Sequence, residues 1–174
     1  KSLNSLNNVS IAALPEAFLY RGKLSDYAEI YPEILNSIET IFKPIAKEKK
    51  IHIILGTILF PVNGRYTNTL LHIDSEGEIK ARYDKIHLFD VDIANKVSYK
   101  ESNDIMPGKN VIISDINGLT IGFTICYDLR FPEVFRRIAR EVAAIFVVAN
   151  WPTSRQDHWV TLLKARAIEN QCFV

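Results

Sequence analysis

Ile121-Gly-Phe-Thr-Ile-Cys-Tyr-Asp-Leu-Arg-Phe-Pro-Glu133 is the stretch on which the reading of the chain turns. Ile121, Phe123 and Ile125 alternate with Gly122 and Thr124, the two-residue period of a strand. The run stops at Cys126, Asp128 is placed to cap a helix, and Phe131-Pro132-Glu133 reads as that helix's first turn. A cysteine at such a strand-to-helix elbow lies near outward-pointing backbone N–H groups, which favour a thiolate or a developing oxyanion. The ordinary alternative is a buried, inert cysteine. The rest of the chain has to decide between the two.

Working outward, residues 131–141 read as a helix, 143–149 as a buried strand, Asn150-Trp151-Pro152 as a loop and 156–169 as a second helix. Trp159, Leu162, Leu163 and Ala167 share that second helix's apolar face. Upstream, residues 9–14 have strand character and end at Pro15-Glu16. Residues 29–50 carry Ile30, Ile34, Ile38, Ile41, Phe42 and Ile45 at amphipathic-helix spacing. Pro32 suits the first turn of that helix, and Pro44 should kink or interrupt it. Residues 51–60 form an apolar strand followed by an Asn63-Gly64 turn, and 66–74 with 78–84 flank Ser75-Glu76-Gly77 as a hairpin. Lys85-Ile86-His87-Leu88-Phe89 follows directly, and residues 90–109 read as a long polar loop, a kind that tends to be functional. Residues 111–115 and 119–125 flank Asn117-Gly118, a strong hairpin signal. Strands alternating with helices, together with hairpins, give an α/β fold with a mixed sheet covered by helices.

At 174 residues the chain fits one domain, 1–174, with a sizeable core. A formal net charge of +1 argues against nucleic acid as a partner. No apolar run approaches the roughly 20 residues of a membrane span. Cys126 and Cys172 suggest neither a disulfide framework nor a metal site, so a reducing, cytoplasmic setting is expected. Lys1 at the start and the apolar run 171–174 at the end read as cut edges, which makes the chain a central portion of a longer protein.

Glu16, Lys85 and Cys126 each stand at the end of an apolar strand, where α/β folds assemble sites. A thiol near a carboxylate has a general base at hand, and an ammonium beside them stabilises negative charge on sulfur or a carbonyl oxygen. Singly, Glu16 reads as a loop carboxylate and Lys85 as a strand-edge lysine. Spacing alone does not join them.

Their flanking motifs do. Leu14-Pro-Glu-Ala-Phe18, Tyr83-Asp-Lys-Ile-His-Leu-Phe89 and Ile125-Cys-Tyr-Asp-Leu-Arg-Phe-Pro-Glu133 together resemble the carbon–nitrogen hydrolase (nitrilase) superfamily, in the family's order. The likeness extends through Tyr99-Lys-Glu-Ser102, Met106-Pro-Gly108, Asn150-Trp-Pro152 and residues 158–171, and so covers nearly all of the chain from residue 11 onward. The run Lys85 to Asp92 and the Asn150-Trp-Pro152 loop look most like the ω-amidase branch; Pro44 is a departure from the family's helix. The resemblance implies a four-layer α-β-β-α sandwich of two mixed sheets, truncated here at both ends. It implies Cys126 as nucleophile, Glu16 as general base, Lys85 as electrostatic stabiliser, Glu101 as a second glutamate lining the site, and the backbone N–H of Tyr127 as oxyanion donor. The expected reaction is thioester-mediated hydrolysis of a small-molecule amide with release of ammonia, requiring no cofactor and no metal. ω-Amides such as 2-oxoglutaramate lead as substrates, with N-carbamoyl amino acids, nitriles and deaminated-glutathione amides as the alternatives. A non-catalytic scaffold subunit is the competing reading of another class, and it would require one of the three residues to be replaced. The family also implies a homodimer or higher homo-oligomer.

Arg130, next to the nucleophile, is expected to form a structural ion pair, with a substrate carboxylate as its second possible partner. Trp151 is a candidate pocket wall, and Arg166 with Glu169 an internal pair. His52, His87, His158 and Cys172 read as structural, His87 as a possible buttress of the site.

Overall fold

Alternation along the apolar strands sends side chains into two different cores, and that doubles the layers. The computed structural model describes Leu3, residues 8–93 and residues 97–174. In β2 (His52–Val62), Ile53 and Leu55 face one core while Ile54 faces another. In β8 (Leu119–Ile125), Ile121, Phe123 and Ile125 meet Ile54 in that second core. The first sheet has the order β1-β2-β3-β4, with β1 (Ile11–Ala13) parallel to β2, and β3 (Arg65–Ile73) and β4 (Ile79–Asp84) added as antiparallel hairpins. The second has the order β7-β8-β9, with β7 (Ile113–Ile116) antiparallel to β8 and β9 (Ala144–Val148) parallel to it. Both sheets are mixed, and they face each other across Tyr83, Leu70 and Ile54 on one side and Phe123, Ile125 and Val148 on the other.

Helices cover the outer faces. Ile34, Ile38, Phe42 and Ala46 lay one helical stretch on the first sheet. It consists of α1 (Tyr27–Ser37), a wide turn at Ile38–Phe42 with five-residue hydrogen bonding, and α2 (Lys43–Lys49). The expected disturbance at Pro44 is that wide turn, which lets the helix run on past a residue with no N–H to donate. Pro32 does not sit in the first turn: the helix begins at Tyr27, which leaves Pro32 inside it. On the other face, α3 (Pro132–Ile138) and α4 (Gln156–Asn170) pack Val134, Phe135 and Ile138 against Ile145, with Trp159, Leu162 and Leu163 around them. α3 is shorter than its apolar pattern suggests, and β9 is only partly buried rather than fully so. The expected loop 90–109 is not structureless: β5 (Asp90–Ile93) and β6 (Val97–Lys100) pair antiparallel within it, and residues 94–96 lie outside the described residues.

A polar chain stitches the two sheets together inside the second core. The ring nitrogens His52 Nδ1 and His72 Nε2 are 2.9 Å apart, His72 Nδ1 is 2.9 Å from Ser114 Oγ, and His52 Nε2 is 3.2 Å from Asn117 Oδ1. His52 is thus satisfied within the core, as expected. Burial, reinforced by His52, pushes His72 down to about 4. The folded state therefore favours neutral His72, and its contribution is complete above the ordinary histidine value near 6.5 and lost as pH falls toward 4. Urea unfolding at stepped pH should show about 3 kcal/mol lost across that window. His72→Gln should flatten the fall; an unchanged slope would remove His72 as its source.

Candidate active site

Lys85 follows β4 by one residue and is held on both sides of its own backbone. Its N–H donates to Asn68 O at 2.8 Å, and its carbonyl accepts the Gly108 N–H at 2.7 Å. A Cβ on Gly108 would lie 2.0 Å from Asp84 O, so only glycine allows that approach. Lys85 is 2% exposed. Its Nζ donates to Glu16 Oε1 at 3.0 Å and to Glu101 Oε2 at 2.9 Å.

Glu16 arrives from the opposite edge of the sheet. Leu14 N–H continues the β1–β2 pairing to Ile54 O at 2.9 Å, and the chain then crosses Gly56, where a Cβ would stand 1.8 Å from Pro15 O. Ala17 turns the chain with a positive φ of 53° and donates its N–H to Thr57 Oγ1 at 2.8 Å. The other carboxylate oxygen of Glu16, Oε2, accepts the Asn150 N–H at 3.1 Å. Glu101 opens a short turn after β6, and its Oε2 also accepts the Phe89 N–H at 2.7 Å. Between the two acids lies Asn68, whose Nδ2 donates to Glu16 Oε1 at 3.0 Å and to Glu101 Oε1 at 3.1 Å. Burial alone would lower Lys85, but the charges of Glu16 and then Glu101 outweigh it and raise it. Lys85 is therefore a permanent ammonium between two carboxylates.

Cys126 is the first residue past β8 and has a φ of 45°, a left-handed conformation unusual for a side-chain-bearing residue. Strain of that kind costs roughly 1–3 kcal/mol and needs its surroundings to hold it. Asp128 does so. Fully buried, it accepts from Ile125 N at 3.0 Å, Tyr83 Oη at 2.7 Å, His87 N at 2.8 Å and His87 Nδ1 at 3.0 Å. It does not cap α3; its side chain bonds the strand behind it and the segment that carries Lys85, tying the elbow to the lysine. His87 is thus a buttress, its ring stacked on Phe131 with centroids 3.7 Å apart. Burial, then the neighbouring Glu16, push the Cys126 thiol up, and Lys85 only partly opposes them. The elbow does not yield a resting thiolate.

Glu16, Lys85, Glu101 and Cys126 line one cavity of about 490 Å³, which also includes Asn68, Tyr99 and Arg21. Arg130 and Trp151 are not among the residues lining it. Instead of an ion pair, Arg130 lies over the Trp151 ring at 4.9 Å and the Tyr127 ring at 5.7 Å, with His158 Nδ1 3.4 Å from its Nη2. His158 is exposed, so it does not pack as expected. The Arg166–Glu169 pair is present at 2.9 Å, and Arg166 Nε also donates to Leu129 O, holding α4 to the elbow turn. Cys172 is half-buried against the third core. Asn68, Arg21 and Gly56 were not singled out by sequence. For Asn68 the available signal was a polar residue beside an apolar strand run. Among the described residues no cluster of three or more histidine, cysteine or acidic side chains could hold a metal ion.

The carbon–nitrogen hydrolase family matches residues 4–174. A deaminated glutathione amidase from Synechocystis sp. is 38% identical over 172 residues, which cover 94% of this chain and 63% of the relative. A 2-oxoglutaramate amidase from Bacillus subtilis is 34% identical over 168 residues, covering 96% and 62%. The chain thus spans a little over three-fifths of the length of these relatives. The crystal structure of the C. elegans NitFhit protein superposes with a TM-score of 0.83 at 32% identity, covering 94% of this chain and 41% of that one.

Replacing Asp128 by Ala would leave two backbone N–H groups and a tyrosine hydroxyl without their acceptor in a largely buried setting. The expected loss is about 3 kcal/mol or more, read as a lower urea midpoint. A midpoint within error of wild type would show that the elbow is held by other contacts.

Proposed function

This chain belongs to the carbon–nitrogen hydrolase family, and from that premise we propose that it hydrolyses the C–N bond of a small carboxylated amide through a cysteine thioester. The observation that carries the proposal is the buried ammonium of Lys85 between Glu16 and Glu101, in one cavity with the Cys126 thiol.

The thiol rests protonated, so attack needs a base in place. As Sγ bonds to the amide carbon, its proton passes to the Glu16 carboxylate. Negative charge gathers on the former carbonyl oxygen, met by Lys85 Nζ and by the N–H of Tyr127, which opens its turn without a preceding helical carbonyl. Glu16 returns the proton to the departing nitrogen, the C–N bond breaks, and ammonia leaves a thioester. Water then gives a proton to Glu16 as its oxygen attacks the thioester. The C–S bond breaks, the sulfur recovers the proton, and the carboxylate product is released. Glu101 holds Lys85 and the Phe89 amide in register for both steps.

ω-Amides of the 2-oxoglutaramate and 2-oxosuccinamate type are the leading substrates. A deaminated-glutathione amide is the second reading, favoured by the 38% identity to an enzyme of that name. A scaffold role is disfavoured because Glu16, Lys85 and Cys126 are all present and share the cavity. Exposed Val160, Ile168 and Phe173 on and after α4 suit a homodimer, and the two free cysteines suit a reducing cytoplasm. No helix among the described residues is long and apolar enough to cross a membrane.

A panel of ω-amides, peptide amides, ureido acids and nitriles separates these readings by product: ammonia from the first, a released amine from deaminated glutathione. Cys126→Ala should remove turnover by at least about 10⁴-fold and Glu16→Gln should lower kcat by about 10²–10⁴-fold. Turnover of ureido acids alone, or activity surviving in Cys126→Ala, would sink the assignment.

A further inference from the structure

The segment after Glu16 forms a wall of the cavity and carries a cation that the chemistry above does not use. Ala17, Leu19, Tyr20, Arg21 and Gly22 all line it. The wall is fastened. Ala17 donates to Thr57 Oγ1, Tyr20 Oη donates to Lys23 O at 2.9 Å, and the Tyr20 and Tyr27 rings lie 5.5 Å apart. Gly22 allows Tyr20 to fold over it, since a Cβ there would stand 2.2 Å from the tyrosine oxygen. Arg21 is steered by one bond, Nε to Ala17 O at 3.3 Å. Its two terminal nitrogens have no acidic partner within 4.0 Å among the described residues.

Charge makes this arginine distinctive. The described residues lining the cavity include three acids, Glu16, Glu101 and Asp104, and two cations, Lys85 and Arg21. Lys85 is already engaged by two carboxylates. A substrate carboxylate is repelled from that end, and Arg21 offers the one uncommitted cation, with the planar fork that suits a carboxylate.

We propose that Arg21 is the anchor for a carboxylate at the far end of the substrate, so that the cavity selects amides with an anionic group opposite the scissile bond and orients them amide-first toward Cys126. Arg130, stacked on Trp151 outside the lining, does not serve this purpose. The inference rests on the amide-hydrolase reading and adds a substrate polarity to it.

The test uses the complete protein and two probes on the same five-carbon chain, read by ammonia release: glutaramate, and its methyl ester as the neutral counterpart. Wild type should favour the anionic probe in kcat/KM by at least tenfold, with the difference mainly in KM. Arg21→Met should reduce that ratio at least tenfold, and Arg21→Lys should restore part of it. A wild-type ratio near one, or a ratio that Arg21→Met does not alter, overturns the anchor while leaving the amidase reading in place. Failure of wild type to hydrolyse either probe, or any member of the amide panel, overturns both.

Discussion

An ammonium ion closed inside the protein between two carboxylates is the constraint on which this structure depends. Lys85, Glu16 and Glu101 are each under a tenth exposed, and they come from β4's end, the loop after β1 and the turn after β6. Removing three charges from water is unfavourable unless every one is partnered. The partners are specific: Asn68 donates to both acids, Asn150 N–H to Glu16 and Phe89 N–H to Glu101. Loss of one member of such a buried set typically costs about 3–5 kcal/mol, because the remaining charges are stranded. The cluster therefore fixes where three separate segments end, and the backbone has been shaped to allow it. Gly56 and Gly108 lie where a side chain would collide with the backbone leading to Glu16 and to Lys85.

The same cluster keeps both the Lys85 ammonium and the Cys126 thiol in their protonated forms. Two negative charges hold the lysine protonated, and burial, then one of those charges, discourages ionisation of the thiol. A permanent thiolate would add a second uncompensated negative charge to a cavity already in deficit of cations. In the proposed reaction, keeping the proton on sulfur until the carbonyl is in place avoids that and leaves Glu16 as the acceptor at the moment of attack. Precise placement then matters more than thiol acidity. The left-handed Cys126 and the four bonds to Asp128 supply it, and through Tyr83 and His87 they tie nucleophile to lysine.

What the sequence made legible was whatever local pattern determines. The alternation from Ile121 to Ile125 survives because both faces of that strand are packed, and the turns at Asn63-Gly64 and Asn117-Gly118 appear with positive φ. Arg166 and Glu169 sit one helical turn apart and pair as that spacing allows. The misses have a common cause, in that they depend on what arrives from elsewhere in the chain. β5 and β6 alternate polar and apolar residues over only four positions each, too short a run to stand out within a polar loop. Asp128 has the chemistry of a cap, but its surroundings offer it four donor groups behind the elbow instead. Arg130 found rings where an acid was expected. Asn68 matters only once two acids from distant segments converge on one amide group.

Substrate polarity follows from the same electrostatics. With Lys85 committed, the reactive end of the cavity carries two carboxylates against one ammonium, so it tolerates a neutral amide far better than another anion. A substrate bearing both groups can satisfy the cavity in only one orientation, provided that a cation waits beyond the reach of the acids. Arg21 meets that condition because the chain turns sharply at Ala17, immediately after Glu16, and returns along the cavity wall. In the proposed reaction, one segment thus supplies the base that works on the amide and, five residues later, the charge that decides which end is presented to it. An anchor at Arg130 would instead hold the substrate's carboxylate away from the cavity, since that side chain lies over the Trp151 and Tyr127 rings and is not among the lining residues.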